Sequence, residues 1–314
     1  MNEQLRKSTD RFVTAVRAVN GIYFARRTIF NRFGAMLLTL PDELETPVLT
    51  QDDAEQARRA AERLGVSADA LPVLAALCRN GDSHTLRRAE RAQHTLERRF
   101  FPSAHLTTAA WLMALDWRDV TAFDQVAAEA RQLYDQMRRD DPFRTASEDV
   151  PLCVLYALNG EGQAARRLDE TMHDLRPVFR PRNSVQALAE VLVFAPEAGA
   201  QRTMELTRAL NSRGLRLGRG NSLAALGALA AIPQAVDEVA DQVAAAELRL
   251  RRAPELSGWS VSGKERLMWS CLLVGLANAD MPEQKRLLSA AFTAALSGYL
   301  PDPLEEPELT AGMF

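Results

Sequence analysis

The chain has 314 residues, 47% apolar and 25% charged, the balance of an ordinary folded globular protein. A formal charge of −3 excludes a uniformly basic nucleic-acid coat. Three cysteines (Cys78, Cys153, Cys271) without C-x-x-C spacing exclude a disulfide framework and a thiolate zinc site, and fit the reducing cytoplasm expected here. Lys7, Lys264 and Lys285 are the only lysines; the other 35 basic residues are arginine.

The first 34 residues carry seven basic and two acidic side chains. No uninterrupted apolar run with a small-residue cleavage site follows, so no secretory signal is expected. Phe12, Val16, Val19, Tyr23, Ile29, Phe30 and Phe33 form an apolar side. It suits either an anionic membrane surface or, the preferred reading, packing of an N-terminal helical cap (residues 1–48) onto the rest. The longest apolar stretch, Leu267–Ala279, is too short to span a bilayer, so no membrane span is expected.

Strand signals are scarce. From residue 49 to residue 300 the recurring unit is an apolar helix, a short turn and a helix rich in arginine and glutamate. The apolar members are Leu71–Cys78, Leu106–Trp117, Val150–Leu158, Ser184–Ala195, Leu223–Ile232 and Leu267–Ala279. Aligning Ala76, Ala114, Ala157, Phe194, Ala231 and Gly275 gives steps of 38, 43, 37, 37 and 44 residues. Such a period predicts an all-α fold, an α-solenoid-like array of about six helix pairs in which stacked neighbours bury what one pair cannot. Alanine or glycine at the aligned position allows close helix approach. Thr50, Ser67 and Ser147 read as helix starts, Asn183 and Asn221 as N-caps, and Gln186 as a capping-box partner of Asn183. Residues 301–314, with three prolines and four carboxylates, form an acidic tail expected to be extended, and able to occupy the protein's own groove or a neighbour's.

Arginines gather where a polar helix leads into the next apolar one: Arg98 and Arg99, Arg176 to Arg182, Arg208 to Arg219, and Arg249 to Arg252. Carboxylates such as Asp119, Asp124, Asp237 and Asp241 gather at the starts of polar helices. The pattern predicts a basic and an acidic edge, and the helix dipole alone would favour it. Within it, Arg180, Arg182, Asn183, Arg213, Arg216, Arg219 and Asn221 are the candidate anion-binding residues. Guanidinium forks and free amides at a helix start suit phosphate or carboxylate. The segment is neither a P-loop nor G-x-G-x-x-G. Nucleic acid ranks below other anions, because aromatics do not alternate with the arginines.

Catalytic signals are weak, and no catalytic residue is assigned. Glu170-x-x-His173 lacks the second pair that a carboxylate-bridged metal needs, so a solvated helix face is the reading and no metal or cofactor is expected. Gly258-Trp-Ser260-Val-Ser262 misses the nucleophile elbow, lacking its second glycine and its preceding strand. Ser257, Ser260 and Ser262 read instead as caps for a helix starting near Lys264.

Three segments, RFFPSAHLTTAA (99–110), DPFRTASEDVP (141–151) and FRPRNSVQALA (179–189), resemble the bacterial domain of unknown function 4003 family. Leu215 and Leu217 depart from the aromatic that precedes the cap at Phe101 and Phe179. The resemblance spans most of the chain and implies an all-helical bacterial protein with no established activity. The function expected is non-catalytic binding of a protein or peptide along the concave face. The alternative is an anion-, nucleotide- or nucleic-acid-binding module, or an enzyme, at the 176–221 edge.

Overall fold

Prolines set two of the helix starts. Pro72 and Pro151 stand at the second position of α4 (Leu71–Asn80) and α8 (Val150–Asn159), where a missing N–H costs nothing. The computed structural model describes residues 2–24, 28–40, 48–82, 84–116, 119–140, 145–179, 182–217, 221–258 and 261–300. Every element among them is helical. Before α4 come α1 (Glu3–Ile22), α2 (Thr28–Thr39) and α3 (Gln51–Leu64). Then follow α5 (Thr85–Glu97), α6 (Ala104–Leu115), α7 (Phe123–Asp140), α8, α9 (Ala164–Leu175), α10 (Arg182–Leu192) and α11 (Gly199–Ser212). A nine-residue 3-10 helix (Asn221–Leu229) precedes α12 (Val236–Arg252), α13 (Gly263–Ala277) and α14 (Pro282–Ser297). The acidic tail, Arg180, Arg219 and Ser260 lie outside the described residues.

Several expected starts are found with their caps. Thr50 Oγ1 accepts from the Asp53 amide at 3.2 Å while Asp53 Oδ2 accepts from the Thr50 amide at 2.8 Å, a complete capping box. Ser262 Oγ caps α13 by accepting from the Glu265 amide at 3.1 Å. Asn183 is not an N-cap. Helix α10 already includes Arg182, so Asn183 lies inside its first turn. Gln186 serves elsewhere, donating to Glu190 Oε1 at 2.9 Å.

The apolar helices pack on one another in sequence: α2 on α4, α6 on α8, α10 on the 3-10 helix, and that helix on α13. The polar helices α3, α5, α7, α9, α11 and α12 lie against them, each also touching its polar neighbour. An arginine at the fourth position of a polar helix recurs as a fastener. Arg88 donates to the Asp116 carbonyl, Arg167 to the Ala195 carbonyl at 2.8 Å, and Arg202 to the Gln234 carbonyl. Each holds a carbonyl left open where the next apolar segment ends. The two expected charge edges are not separate. Arg98 at the end of α5 meets Asp124 of α7 at 2.8 Å, and Arg213 after α11 meets Asp241 and Asp237 of α12 at 2.7 and 3.0 Å. Exit arginines thus pair with the carboxylates at the start of the following polar helix.

The first two helices meet the late ones. Helix α1 packs on α12 and α13, with Asp10 paired to Arg249 and Arg17 donating to Glu255 at 2.7 Å. Phe12 of α1 and Phe33 of α2 pack on Trp269 of α13, and Arg32 pairs with Glu265. The apolar side of the N-terminal helices is therefore spent on protein, not on a membrane. No described helix is long and apolar enough to cross a membrane.

Helix α14 departs from the apolar-polar alternation. It packs at once against α6, α8, α10, the 3-10 helix and α13, because Leu287 to Leu296 is apolar or small on every side. His105 of α6 joins its end, with Nε2 3.1 Å from the Ser297 carbonyl and Nδ1 3.2 Å from Ser147 Oγ. Two glycines stand at close contacts between helices. A Cβ on Gly275 would stand 2.9 Å from Ala228 Cβ, and one on Gly34 would stand 2.5 Å from the Pro72 carbonyl oxygen. The second contact is backbone to backbone, so Gly34→Ala must push α2 off α4. A loss of about 1–3 kcal/mol is expected from urea unfolding, while Gly21→Ala, with nothing within 4 Å, serves as the neutral control.

Candidate functional site

Four helices each contribute one stripe at helical spacing to a cavity of about 780 Å3. Ala70, Val73, Leu74 and Leu77 come from α4 and the residue before it; Thr107, Thr108, Trp111, Leu112 and Leu115 come from α6. Helix α14 adds Lys285, Leu288, Ser289, Phe292, Thr293 and Leu296. Helix α1 supplies the polar wall: Gln4, Lys7, Ser8 and Arg11. Met36, Leu37 and Leu40 of and beside α2, with Leu276 and Asp280 at the end of α13, complete the lining.

Helices α4 and α6 make little close backbone contact, and α1, held by α2, α12 and α13, lines the space beside them. Lys7, Lys285 and Leu115 are exposed, so the cavity opens to solvent there, while Arg11 is buried in its wall. Three cations face it against one carboxylate, Asp280, and two of the chain's three lysines are among them. Neither lysine has an ion-pair partner among the described residues. Trp111 also borders a second cavity of about 220 Å3, beside Arg59, Arg63 and Cys78. Its indole N–H is buried without an acceptor among the described residues. Burial, then Asp53, pushes the Cys78 thiol up to about 11, so it stays protonated and a poor nucleophile at neutral pH.

The residues singled out in the sequence do not converge on this cavity. Arg213 is engaged by Asp237 and Asp241. Arg216 is exposed. Arg182, Asn183 and Asn221 belong to helices, but their side chains, like Arg180 and Arg219 as a whole, lie outside the described residues. Glu170 pairs with Arg166 at 3.0 Å on an exposed face, which His173 shares. No group of three or more metal-ligating side chains occurs among the described residues. The signal that sequence reading left unused was the placement of two rare lysines, Lys7 and Lys285, each at i, i+4 from another cavity-facing polar residue.

A second buried cluster shares no residue with either of these cavities. Asp149, Glu190, Tyr156 and Cys153 are enclosed between α8 and α10. Asp149 Oδ2 accepts from the Ala146 amide at 2.9 Å, Asp149 donates to the Glu190 carboxylate, and Tyr156 donates to the Glu190 carbonyl at 2.7 Å. Burial pushes the Glu190 carboxyl up to about 7. Burial, followed by the Glu190 charge, holds Asp149 well above the usual carboxylate range.

Fold and site together define an all-helical protein whose inner helix α14 and cationic helix α1 enclose one large apolar cavity. The chain belongs to the family described as "Protein of unknown function (DUF4003)", which it matches over residues 81–295. That match begins after α4, so the cationic α1 wall stands before it. No curated protein and no solved structure matches the chain.

Proposed function

We propose that this is a non-catalytic binding protein: a curled array of helix pairs that takes the apolar part of a ligand into the cavity between α1, α4, α6 and α14. The observation that carries the reading is the cavity itself, about 780 Å3 and mostly apolar, within the range of small-molecule sites. A partner lying along the whole concave face is disfavoured by α14, which covers α8, α10 and the 3-10 helix. The lining offers lysine, arginine, serine, threonine and aspartate but no histidine or cysteine, which favours binding over nucleophilic chemistry. At the 176–221 edge, an anion would have to displace Asp237 and Asp241 from Arg213.

A neutral solvatochromic probe, N-phenyl-1-naphthylamine, tests this. Expected is saturable, blue-shifted emission at one probe per chain, quenching Trp111 but not a Trp111→Phe variant. Ser289→Trp, which fills the cavity from α14, weakens probe binding at least about tenfold with the helical melting curve retained. Thr108→Phe fills it from α6 if the first variant does not fold. Absence of saturable binding to the native chain, or undiminished binding to folded, filled variants, overturns the proposal.

A further inference from the structure

Resting on the reading of the cavity as a binding site, we infer that its ligand is a long-chain fatty carboxylate, with the acyl chain among the α4, α6 and α14 side chains and the carboxylate at Lys7, Arg11 and Lys285. The walls differ in character, although α6 and α14 also bring Thr107, Thr108, Lys285, Ser289 and Thr293 to the lining. Leu74, Leu77, Trp111, Leu112, Leu288 and Phe292 present hydrocarbon, whereas the α1 stripe from Gln4 to Arg11 presents donors and positive charge. A ligand that matches both walls at once is amphipathic, apolar along most of its length and negative at one end.

Three features favour an anion over a neutral alcohol or a peptide. Lys7 and Lys285 reach the cavity from different helices, have no acidic partner among the described residues, and account for two of only three lysines in an arginine-dominated chain. Arg11 is buried in the same wall, where desolvation strengthens its attraction for an anion. Asp280 is the one carboxylate in the lining against three cations, so the lining carries net positive charge, which suits an anion better than a neutral headgroup. Each methylene withdrawn from water adds to affinity, so affinity should rise with chain length until the cavity is filled.

The experiment is displacement of N-phenyl-1-naphthylamine from the full chain by palmitate, hexadecanol, acetate and a synthetic peptide of residues 301–314. Expected is displacement by palmitate at least about tenfold tighter than by hexadecanol, with acetate inert, and with the palmitate advantage falling as salt rises. In the double variant Lys7→Gln/Lys285→Gln, both exposed positions, palmitate weakens to the level of hexadecanol, each scaled to that variant's own probe affinity. Equal affinities for palmitate and hexadecanol, retention of the advantage in the double variant, or displacement by the 301–314 peptide with palmitate inert overturns the inference. All three leave probe binding intact. Loss of probe binding by the native chain is the separate result that removes the cavity reading itself.

Discussion

Trp269→Ala lowers stability by about 3–5 kcal/mol and the melting temperature by roughly 10 °C. Its ring is fully buried and meets Phe12 of α1 at 5.5 Å and Phe33 of α2 at 4.8 Å. Its indole donates to Glu265 Oε1 at 3.1 Å, and Glu265 in turn pairs with buried Arg32. Removing the ring therefore opens a void and loosens the junction where the first two helices meet the late ones. Helix α1 is also the cationic wall of the cavity, so palmitate affinity should fall together with stability. Phe101→Ala, at a ring 90% exposed to solvent, changes neither and is the control. Urea unfolding with parallel ligand titration measures both. A loss below about 1 kcal/mol for Trp269→Ala would show that α1 and α2 are held to α13 by something other than this ring.

Stability falls as pH rises from about 5 to 8, because the buried Asp149–Glu190 pair must ionise. An unfolded chain releases the Glu190 proton near the ordinary carboxylate value of about 4.5, whereas the folded chain holds it to about 7. Between those values the folded state binds more protons than the unfolded state, so the pair's contribution is complete below the unfolded value and is lost through the folded one. Glu190's share of the loss is on the order of 3 kcal/mol, and Asp149, held protonated over the same window, adds to it. Among the described residues the groups that face the pair are Glu148, Cys153, Tyr134, Tyr156, Glu161 and Gln186, with His105 reaching it through Ser147, and Arg138 and Arg131 bear on Tyr134. Glu190→Gln keeps an acceptor for Gln186 and supplies an amide donor to Asp149, so the pH dependence across this window should shrink by at least half. Melting curves at unit pH intervals decide it. An unchanged slope in Glu190→Gln would assign the pH dependence to other groups.

The alternation of apolar and polar helices was readable because a helix buried on every side is apolar almost throughout, as from Val150 and Leu267, whereas a half-buried one repeats its apolar residues every 3.6 positions. Local capping was equally readable where the partner lies three residues away, as at Thr50 and Ser262. It failed at Asn183, where α10 begins two residues further toward the N-terminus than the cap motif implies. The arginine pattern was seen, but its partners were not. Arg98 and Arg213 are matched by carboxylates 24 to 28 residues onward, across a neighbouring helix. The likeness to the 4003 family, drawn from packing and turn segments, agrees with the match over residues 81–295.

By itself the sequence determined the helical class, the order of apolar and polar members, and the family, since each depends on local periodicity or short motifs. Tertiary structure alone decided that α14 would lie among the apolar helices, that α1 and α2 would join α12 and α13, and that Lys7 and Lys285 would face one cavity. Those lysines are 278 positions apart in the chain, and no local pattern links them. Their meeting depends on Trp269, Phe12 and Phe33 bringing the first two helices and α13 together, a contact whose energy comes from burial and leaves no spacing in the sequence to read.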